Sequence, residues 1–360
     1  MFSNNYKGKN VLVTGDTGFK GSWLSIWLKL LGANVYGYAN NVPTEPSNFE
    51  SCKLDKLIKH KKGDINDIKS LTKLLKSVKP DVIFHLAAQA LVSESFQSPL
   101  NTFETNTFGS IKMLESVRQS KIKTSIVMIT SDKVYENMEW EWGYREQDRL
   151  GGSDPYSASK SMAEIAIQSY IKSFLDKNLV KVATARAGNV IGGGDWANNR
   201  IVPDIIRAWS NKKKVMIRNP YSTRPWQHVL EPLSGYLLLG SKLQRNKFHA
   251  ESFNFGPNTS THYSVNDLLI SMSNELKNMN WVVKKNINIS ESKLLQLNCD
   301  KSSFLMNWRP TLEFSEVVEF TTDWYKEYYL KMTKNMFQFS LRQIIKYSEI
   351  AKNRNLQWTK

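Results

Sequence analysis

The chain has 360 residues, 41% of them apolar and 23% charged, which is ordinary for a soluble globular protein and enough for one large or two smaller domains. Its formal charge of +16 raises nucleic acid as a partner, yet the lysines are spread along the chain and no nucleic-acid motif accompanies short runs such as Lys59–Lys62 and Lys212–Lys214. No apolar run approaches the about 20 residues of a membrane helix, the first residues lack a signal-peptide pattern, and Cys52 and Cys299 have neither disulfide nor metal spacing.

The expectation is a cytoplasmic protein without membrane or nucleic-acid partners. His60, His85, His228, His249 and His262 are scattered and form no ligand pair, so no metal is expected.

Asn10–Thr14 reads as a short apolar strand that runs into Gly15-Asp-Thr-Gly18-Phe-Lys-Gly21. Glycines at this spacing allow a tight turn, close approach of backbone to a pyrophosphate, and close packing of the next helix. Ser22–Leu31 reads as that helix, whose N-terminus favours phosphate oxygens. A second strand, Asn34–Tyr38, ends at Ala39 and Asn40, where an acidic residue would usually hold the adenosine ribose of NAD. No arginine stands there to receive a 2′-phosphate, so the preference for NAD over NADP is weak.

Further strands end at Lys62-Gly63-Asp64, span Asp81–Leu86 before Ala87-Ala88-Gln89, and span Ser125–Ile129 after a helix near Asn106. The alternation implies a parallel, doubly wound α/β sheet of Rossmann type with ligands outside the carboxyl ends of its strands. Val182–Arg186 reads as a sixth strand. Beyond it the alternation breaks down into short strands, such as Val215–Arg218 and Ser252–Gly256, short helices and many aromatics. We therefore expect residues 1–190, with returning segments near 225–256, to form the dinucleotide-binding domain. Residues 191–224 and 257–360 would form a smaller, partly interleaved α/β substrate-binding lobe. Ser340–Lys352 has helical periodicity and is expected to dock on the body.

The strand Ser125–Ile129 delivers Ser131, Asp132 and Lys133, and Pro155 starts a helix carrying Tyr156 and Lys160 on one face. A nearby ammonium favours a phenolate, and lowering tyrosine from about 10 by about three units needs roughly 4 kcal/mol. Alone, this spacing is commoner as an accident of a surface helix.

Taken together, the glycine turn, Ala87-Ala88, Ser131 and the Tyr156/Lys160 pair resemble the extended short-chain dehydrogenase/reductase family over nearly the whole chain. Thr17–Trp23, Thr130–Glu136, Arg186–Trp196 and Arg224–Pro232 are similar to the nucleotide-sugar 4,6-dehydratases of that family, of the CDP-glucose type. The dTDP-glucose type carries Asp-Glu where Asp132-Lys133 stands.

The resemblance implies an NAD-dependent hydro-lyase acting on a nucleotide sugar, CDP-glucose. Ser131, Tyr156 and Lys160 would serve the redox step, and Asp132 as acid with Lys133 as base would serve loss of water, Glu136 being a rival base. Gly15, Thr17, Gly18, Phe19, Lys20, Gly21, Asp64, Ile65, Ala87, Ala88, Gln89, Asn106, Tyr156 and Lys160 would line NAD. Asn189, Arg200, Arg218, Arg224 and His228 would meet the nucleotide sugar, arginine matching phosphate bidentately.

A homodimer packed through Asn101–Arg118 and Tyr156–Phe174 is implied, with a tetramer as the alternative. The competing readings are another nucleotide-sugar dehydratase or 4-epimerase and, more remotely, a catalytically silent NAD-binding regulator or a basic nucleic-acid binder.

Overall fold

The structure is a computed structural model, and it describes residues 1–258, 263–283 and 294–360. His262 lies outside the described residues. Seven strands make one wholly parallel sheet: β1 (Asn10–Thr14), β2 (Asn34–Ala39), β3 (Lys59–Lys62), β4 (Val82–His85), β5 (Thr124–Ile129), β6 (Val180–Ala187) and β7 (Ser252–Phe255). Their order, β7-β6-β5-β4-β1-β2-β3, puts the reversal of strand order between β1 and β4. That is where a doubly wound sheet opens a crevice for a ligand.

Period-two alternation sends side chains to two cores. Val11 and Val13, Val82 and Phe84, Val127 and Ile129 join one; Leu12, Ile83, Ile126 and Met128 join the other. Central β5 is buried on both faces, as a strand between two helical layers must be. Each full burial of such a side chain stabilises by about 1.5–3 kcal/mol relative to exposure. Edge strand β3 is Lys-His-Lys-Lys, so the lysine run seen in the sequence keeps an unpaired edge charged.

Helices α1 (Phe19–Leu30), α2 (Ile68–Val78), α3 (Gly109–Ser120) and α4 (Pro155–Ser173) alternate with the strands. The Asp154 side chain caps α4 by accepting from Ser157 N at 3.0 Å, and Pro155 occupies its first turn, where a missing N–H costs nothing. The expected helix over Asn101–Arg118 is broken: Pro99–Phe103 and α3 are joined by a π-helical stretch, Glu104–Phe108. The extra residue of that turn aims Asn106 inward. Its amide donates to Ser159 Oγ at 2.9 Å and Gln89 O at 3.0 Å, tying the loop after β4 to α4.

After β6 the chain forms α5 (Ile201–Ser210) and a strand at Val215–Ile217, then returns as α6 (Leu230–Gln244) and β7. It leaves again through α7 (Val265–Glu275) and α8 (Phe314–Tyr329), and α9 (Phe337–Asn353) packs on α1. Small paired strands link this region across the chain, Val215–Ile217 with Trp281–Val283 and Val190–Ile191 with Gln227–His228. Trp23 of α1 donates to Gly193 O at 2.8 Å, so the glycine turn and the loop after β6 are fastened together.

Candidate active site

Gly15 has φ +73°, and a β-carbon there would lie 2.8 Å from Ala87 N. Gly21 packs so closely that its β-carbon would stand 2.0 Å from Gly15 O. Both positions exclude any side chain, as a backbone cradle for a pyrophosphate requires. Gly18 caps α1 without a side-chain hydrogen bond, leaving that role to whatever anion meets the first turn.

Thr17 turns its hydroxyl to Asn41 O at 2.6 Å, and the Asp64 carbonyl accepts from Tyr38 Oη at 3.1 Å. Gln89 N donates to Asn106 Oδ1 at 2.8 Å, and Ala88 lies beside it at the end of β4. Phe19 points its ring towards Gly192. Ile65 differs from expectation: its side chain is buried in the core against Gly109, so only its backbone remains for a ligand.

Asp16, wholly buried, takes the space over Gly37 and pairs with His60 Nδ1 at 2.7 Å, while its Oδ1 has no hydrogen-bond partner among the described residues. The hydrogen bond to Asp16 raises the His60 pKa above its ordinary value, against burial.

The carboxyl end of β5 turns sharply at Ser131, whose side chain caps a single helical turn, Asp132–Val134, by accepting from Lys133 N at 3.2 Å. Ser131 Oγ donates to Asp132 Oδ1 at 3.0 Å and also contacts the Tyr156 hydroxyl. Thus Ser131 and Asp132, after β5, meet Tyr156 of α4; Lys160 follows one helical turn along α4, and all four are nearly buried. Lys133 follows on the same turn, half-buried, its ammonium near enough to pull against the rise of Asp132.

Burial raises the Asp132 pKa above the usual carboxylate value; Lys133, the Ser131 hydroxyl and Lys20 oppose it. A carboxyl so placed is biased towards holding its proton.

Tyr156 departs from expectation. Burial pushes its phenol up rather than down; the Ser131 hydroxyl pulls it back, the Asp132 charge adds to the rise, and Arg200 opposes it. Desolvating a phenolate outweighs the cations around it. Burial lowers the Lys160 ammonium to about 8, with Lys20 adding to the fall and Glu164 resisting it.

Among the expected substrate contacts, Asn189 is exposed directly after Gly188, at which a β-carbon would lie 2.9 Å from Asp132 Oδ2. Arg200 pairs with Asp195 at 3.2 Å, and its charge also reaches Tyr156. Arg224 donates to Thr223 O at 2.8 Å, beside Pro225, which faces Gly188. Arg218 is exposed at the end of the strand Val215–Ile217, nearer to Asp204 of α5.

His228 does not belong here. It is fully buried, edge-on to Trp23 and Phe320, and burial drives its pKa down to about 3. The resemblance implied a substrate contact for His228, but its short strand turns the side chain into the aromatic core. Glu136 pairs with Arg149 at 3.1 Å on the outer side of the turn.

Three residues near the cluster carried no separate signal. His85, at the end of β4, meets the Thr14 hydroxyl at 2.9 Å and is electrostatically coupled to Lys160; burial lowers it to about 3. Tyr236 of α6 has a buried hydroxyl without a hydrogen-bond partner among the described residues, within electrostatic reach of Tyr156 and Asp132. Gly188 marks the space that the Asp132 carboxyl fills. Lys20 was expected at the cofactor, and the structure also brings its charge to Asp132, Lys160 and Arg200. No group of three His, Cys, Asp or Glu among the described residues could hold a metal ion.

The model of the GDP-mannose 4,6 dehydratase family matches residues 12–321. The chain belongs to that family. This GDP-mannose 4,6 dehydratase family member is 43% identical over 333 residues to the CDP-glucose 4,6-dehydratase of Salmonella typhimurium, covering 90% of this chain and 92% of the relative. Its fold is similar to that of an epimerase from Methanothermobacter thermautotrophicus, with a TM-score of 0.77, 25% identity, and coverage of 92% and 96% of the two chains. It is also similar to the dTDP-glucose 4,6-dehydratase of Bacillus anthracis in complex with NAD, with a TM-score of 0.74, 21% identity, and coverage of 89% and 97%. No described helix of this family member is long and apolar enough to cross a membrane.

Proposed function

We propose that the chain is an NAD-dependent nucleotide-sugar 4,6-dehydratase that converts CDP-glucose to CDP-4-dehydro-6-deoxyglucose and water. The observation that carries this reading is one turn that sets the Asp132 carboxyl against the Ser131 hydroxyl and within reach of Tyr156, with the Lys133 charge beside that carboxyl. The extensive identity to a CDP-glucose 4,6-dehydratase supports the choice of sugar nucleotide.

The residues fit NAD through the Gly15–Gly21 cradle and the uncapped start of α1. When bound, NAD supplies an acceptor for hydride from sugar C4 and the donor that returns it to C6. Tyr156 must be ionised to take the proton of the 4-hydroxyl, with Arg200 opposing the rise that burial imposes on it; Ser131 holds that oxygen, and Lys160, one helical turn further along α4, carries the neighbouring positive charge. The resulting 4-keto group makes the C5 proton removable. Lys133 takes up that proton only in its neutral amine form, becoming the ammonium, while Asp132, biased by burial towards its acid form, protonates the departing 6-hydroxyl and is left as the carboxylate. Glu136 is occupied by Arg149, which favours Lys133 as the base. We assign the diphosphate to Arg200, whose charge reaches Tyr156, and to Asn189 and Arg224, which adjoin Gly188 and Pro225 in sequence; Arg218 is exposed at the end of the strand Val215–Ile217.

Exposed Phe96, Leu100, Phe108, Met162, Ile165 and Phe174 along the helices preceding β5 and on α4 support a homodimer through those faces. Free thiols at Cys52 and Cys299 accord with the cytoplasm.

Incubation with CDP-glucose, dTDP-glucose, GDP-mannose and UDP-N-acetylglucosamine, read by the alkaline absorbance of a 4-keto-6-deoxy sugar, tests the reading. Product from a non-CDP substrate alone would overturn the specificity. Lys133→Ala should still oxidise CDP-glucose at C4 but lose elimination, and full turnover would remove Lys133 from the mechanism.

A further inference from the structure

The turn that carries Asp132 and Lys133 lies beyond the last rung of β5, since Thr130 N still donates to Ala185 O at 3.0 Å but the residues after it leave the sheet. The seven-stranded sheet therefore does not set its position; its backbone is held by a bridge between Tyr135 and Leu150, in which Gly151 N donates to Val134 O at 2.9 Å, and by Ser161 Oγ of α4, which donates to Val134 O at 2.7 Å. Beneath it lies a buried network that the proposed chemistry does not use. Glu164 of α4, one helical turn after Lys160, accepts from Arg186 Nε at 2.9 Å and from Arg186 Nη2 at 3.1 Å. The two side chains are 0% and 3% exposed.

This pair grips the turn at both ends. Thr130 Oγ1, just before Ser131, donates to Glu164 Oε1 at 2.6 Å. Tyr135, two residues after Lys133, accepts from Arg186 Nη1 at 2.7 Å and donates to Asn254 Oδ1 at 2.8 Å. The guanidinium also lies 4.9 Å from the centre of the Tyr135 ring. Burying two charges is a poor source of stability, because desolvation consumes most of the attraction. What the arrangement supplies is a fixed height and orientation of the turn over the helix bearing Tyr156 and Lys160.

We propose that Tyr135, Arg186 and Glu164 are positioning residues for the dehydration step, holding Asp132 and Lys133 in register with the redox residues on α4. The proposal rests on the dehydratase reading above. The grip has two ends with different duties. The Thr130 end adjoins Ser131, which serves oxidation, whereas the Tyr135 end lies beyond Lys133 and governs only the elimination pair.

Single-turnover kinetics with CDP-glucose separate the stages: growth of reduced-nicotinamide absorbance reports oxidation at C4, and its decay reports elimination followed by hydride return. Tyr135→Phe keeps the ring and removes the hydroxyl. It should slow the decay by about tenfold or more, within the hundredfold that a misplacement of about 1 Å can cost, while growth stays within about twofold of the unaltered protein. Thr130→Val, at the other end, should slow both stages, and it provides a second test should Tyr135→Phe fail to fold.

A merely structural Tyr135 would lower the unfolding midpoint without changing the ratio of the two rates. Equal slowing of both stages by Tyr135→Phe, or no slowing, overturns the proposal. If the unaltered protein forms no 4-keto product from any of the four sugar nucleotides, the dehydratase reading itself fails, and that is seen before any variant is made.

Discussion

Replacing Glu164 by Gln removes one charge from the buried pair with almost no change in volume. Glu164 accepts four hydrogen bonds, from Thr130, Thr184 and two nitrogens of Arg186. Glutamine offers one oxygen to them and turns an NH2 group towards donors, so the Arg186 charge stays buried with its compensation gone. Breaking such a pair from one side costs about 3–5 kcal/mol. Against a total of about 5–15 kcal/mol for a native protein, that is a large fraction. Equilibrium unfolding in urea should show a lower midpoint at an unchanged slope. The companion Glu164→Leu with Arg186→Met buries no charge and should recover most of the loss, yet remain slow in elimination. A cost for Glu164→Gln below about 1 kcal/mol would refute the view that the pair is desolvated and mutually dependent.

The Lys160 ammonium, lowered to about 8, loses its proton as pH rises through that value, so kcat/KM should fall on the alkaline side near there. In Lys160→Arg the charge persists and that fall should move to higher pH; an unmoved limb would assign it to another group. Gly21→Ala forces a β-carbon to within 2.0 Å of Gly15 O and should abolish measurable NAD binding in calorimetry, so affinity equal to the unaltered protein would contradict the cradle. His60 is raised by Asp16, so its contribution to stability is whole below about pH 6.5 and fades as pH rises through its raised folded value. The stability lost in His60→Gln should therefore be greater at pH 5.5 than at pH 9, and a pH-independent difference would exclude a charged pair.

Much of the sheet was legible because its strands are short apolar runs between glycine or polar turns, and buried parallel strands need little else. Val11 to Val13 and Ile126 to Ile129 announce themselves in this way. The π-helical stretch around Asn106 was not legible, because inserting one residue leaves composition and periodicity nearly unchanged; its cause lies in the tertiary hydrogen bonds to Gln89 and Ser159. Ser131, Asp132, Tyr156 and Lys160 are legible as candidates because motif spacing survives in one dimension, and all four side chains are nearly buried in the fold. The burial of His228 and the sign of the Tyr156 shift share a physical source. Both depend on how completely water is removed from a side chain, and desolvation is a property of the folded surroundings that neighbours in sequence do not reveal. The Glu164–Arg186 pair escaped notice for the same reason, since nothing in either local segment shows that the two side chains meet.

The chain's repeated passage between the sheet and the smaller region has a mechanical consequence. After β6 it crosses to α5, comes back through α6 and β7, leaves again through α7 and α8, and ends on α1 through α9. Elements that leave and rejoin the sheet at several points cannot swing away from it about one hinge, because a rotation that relaxes one connection stretches another. On the proposed reading, a molecule as large as a sugar nucleotide would enter and leave by local rearrangement of the segments around Asn189 and Arg224. The radius of gyration in solution should consequently stay the same with and without nucleotide sugar, while amide exchange slows in those segments.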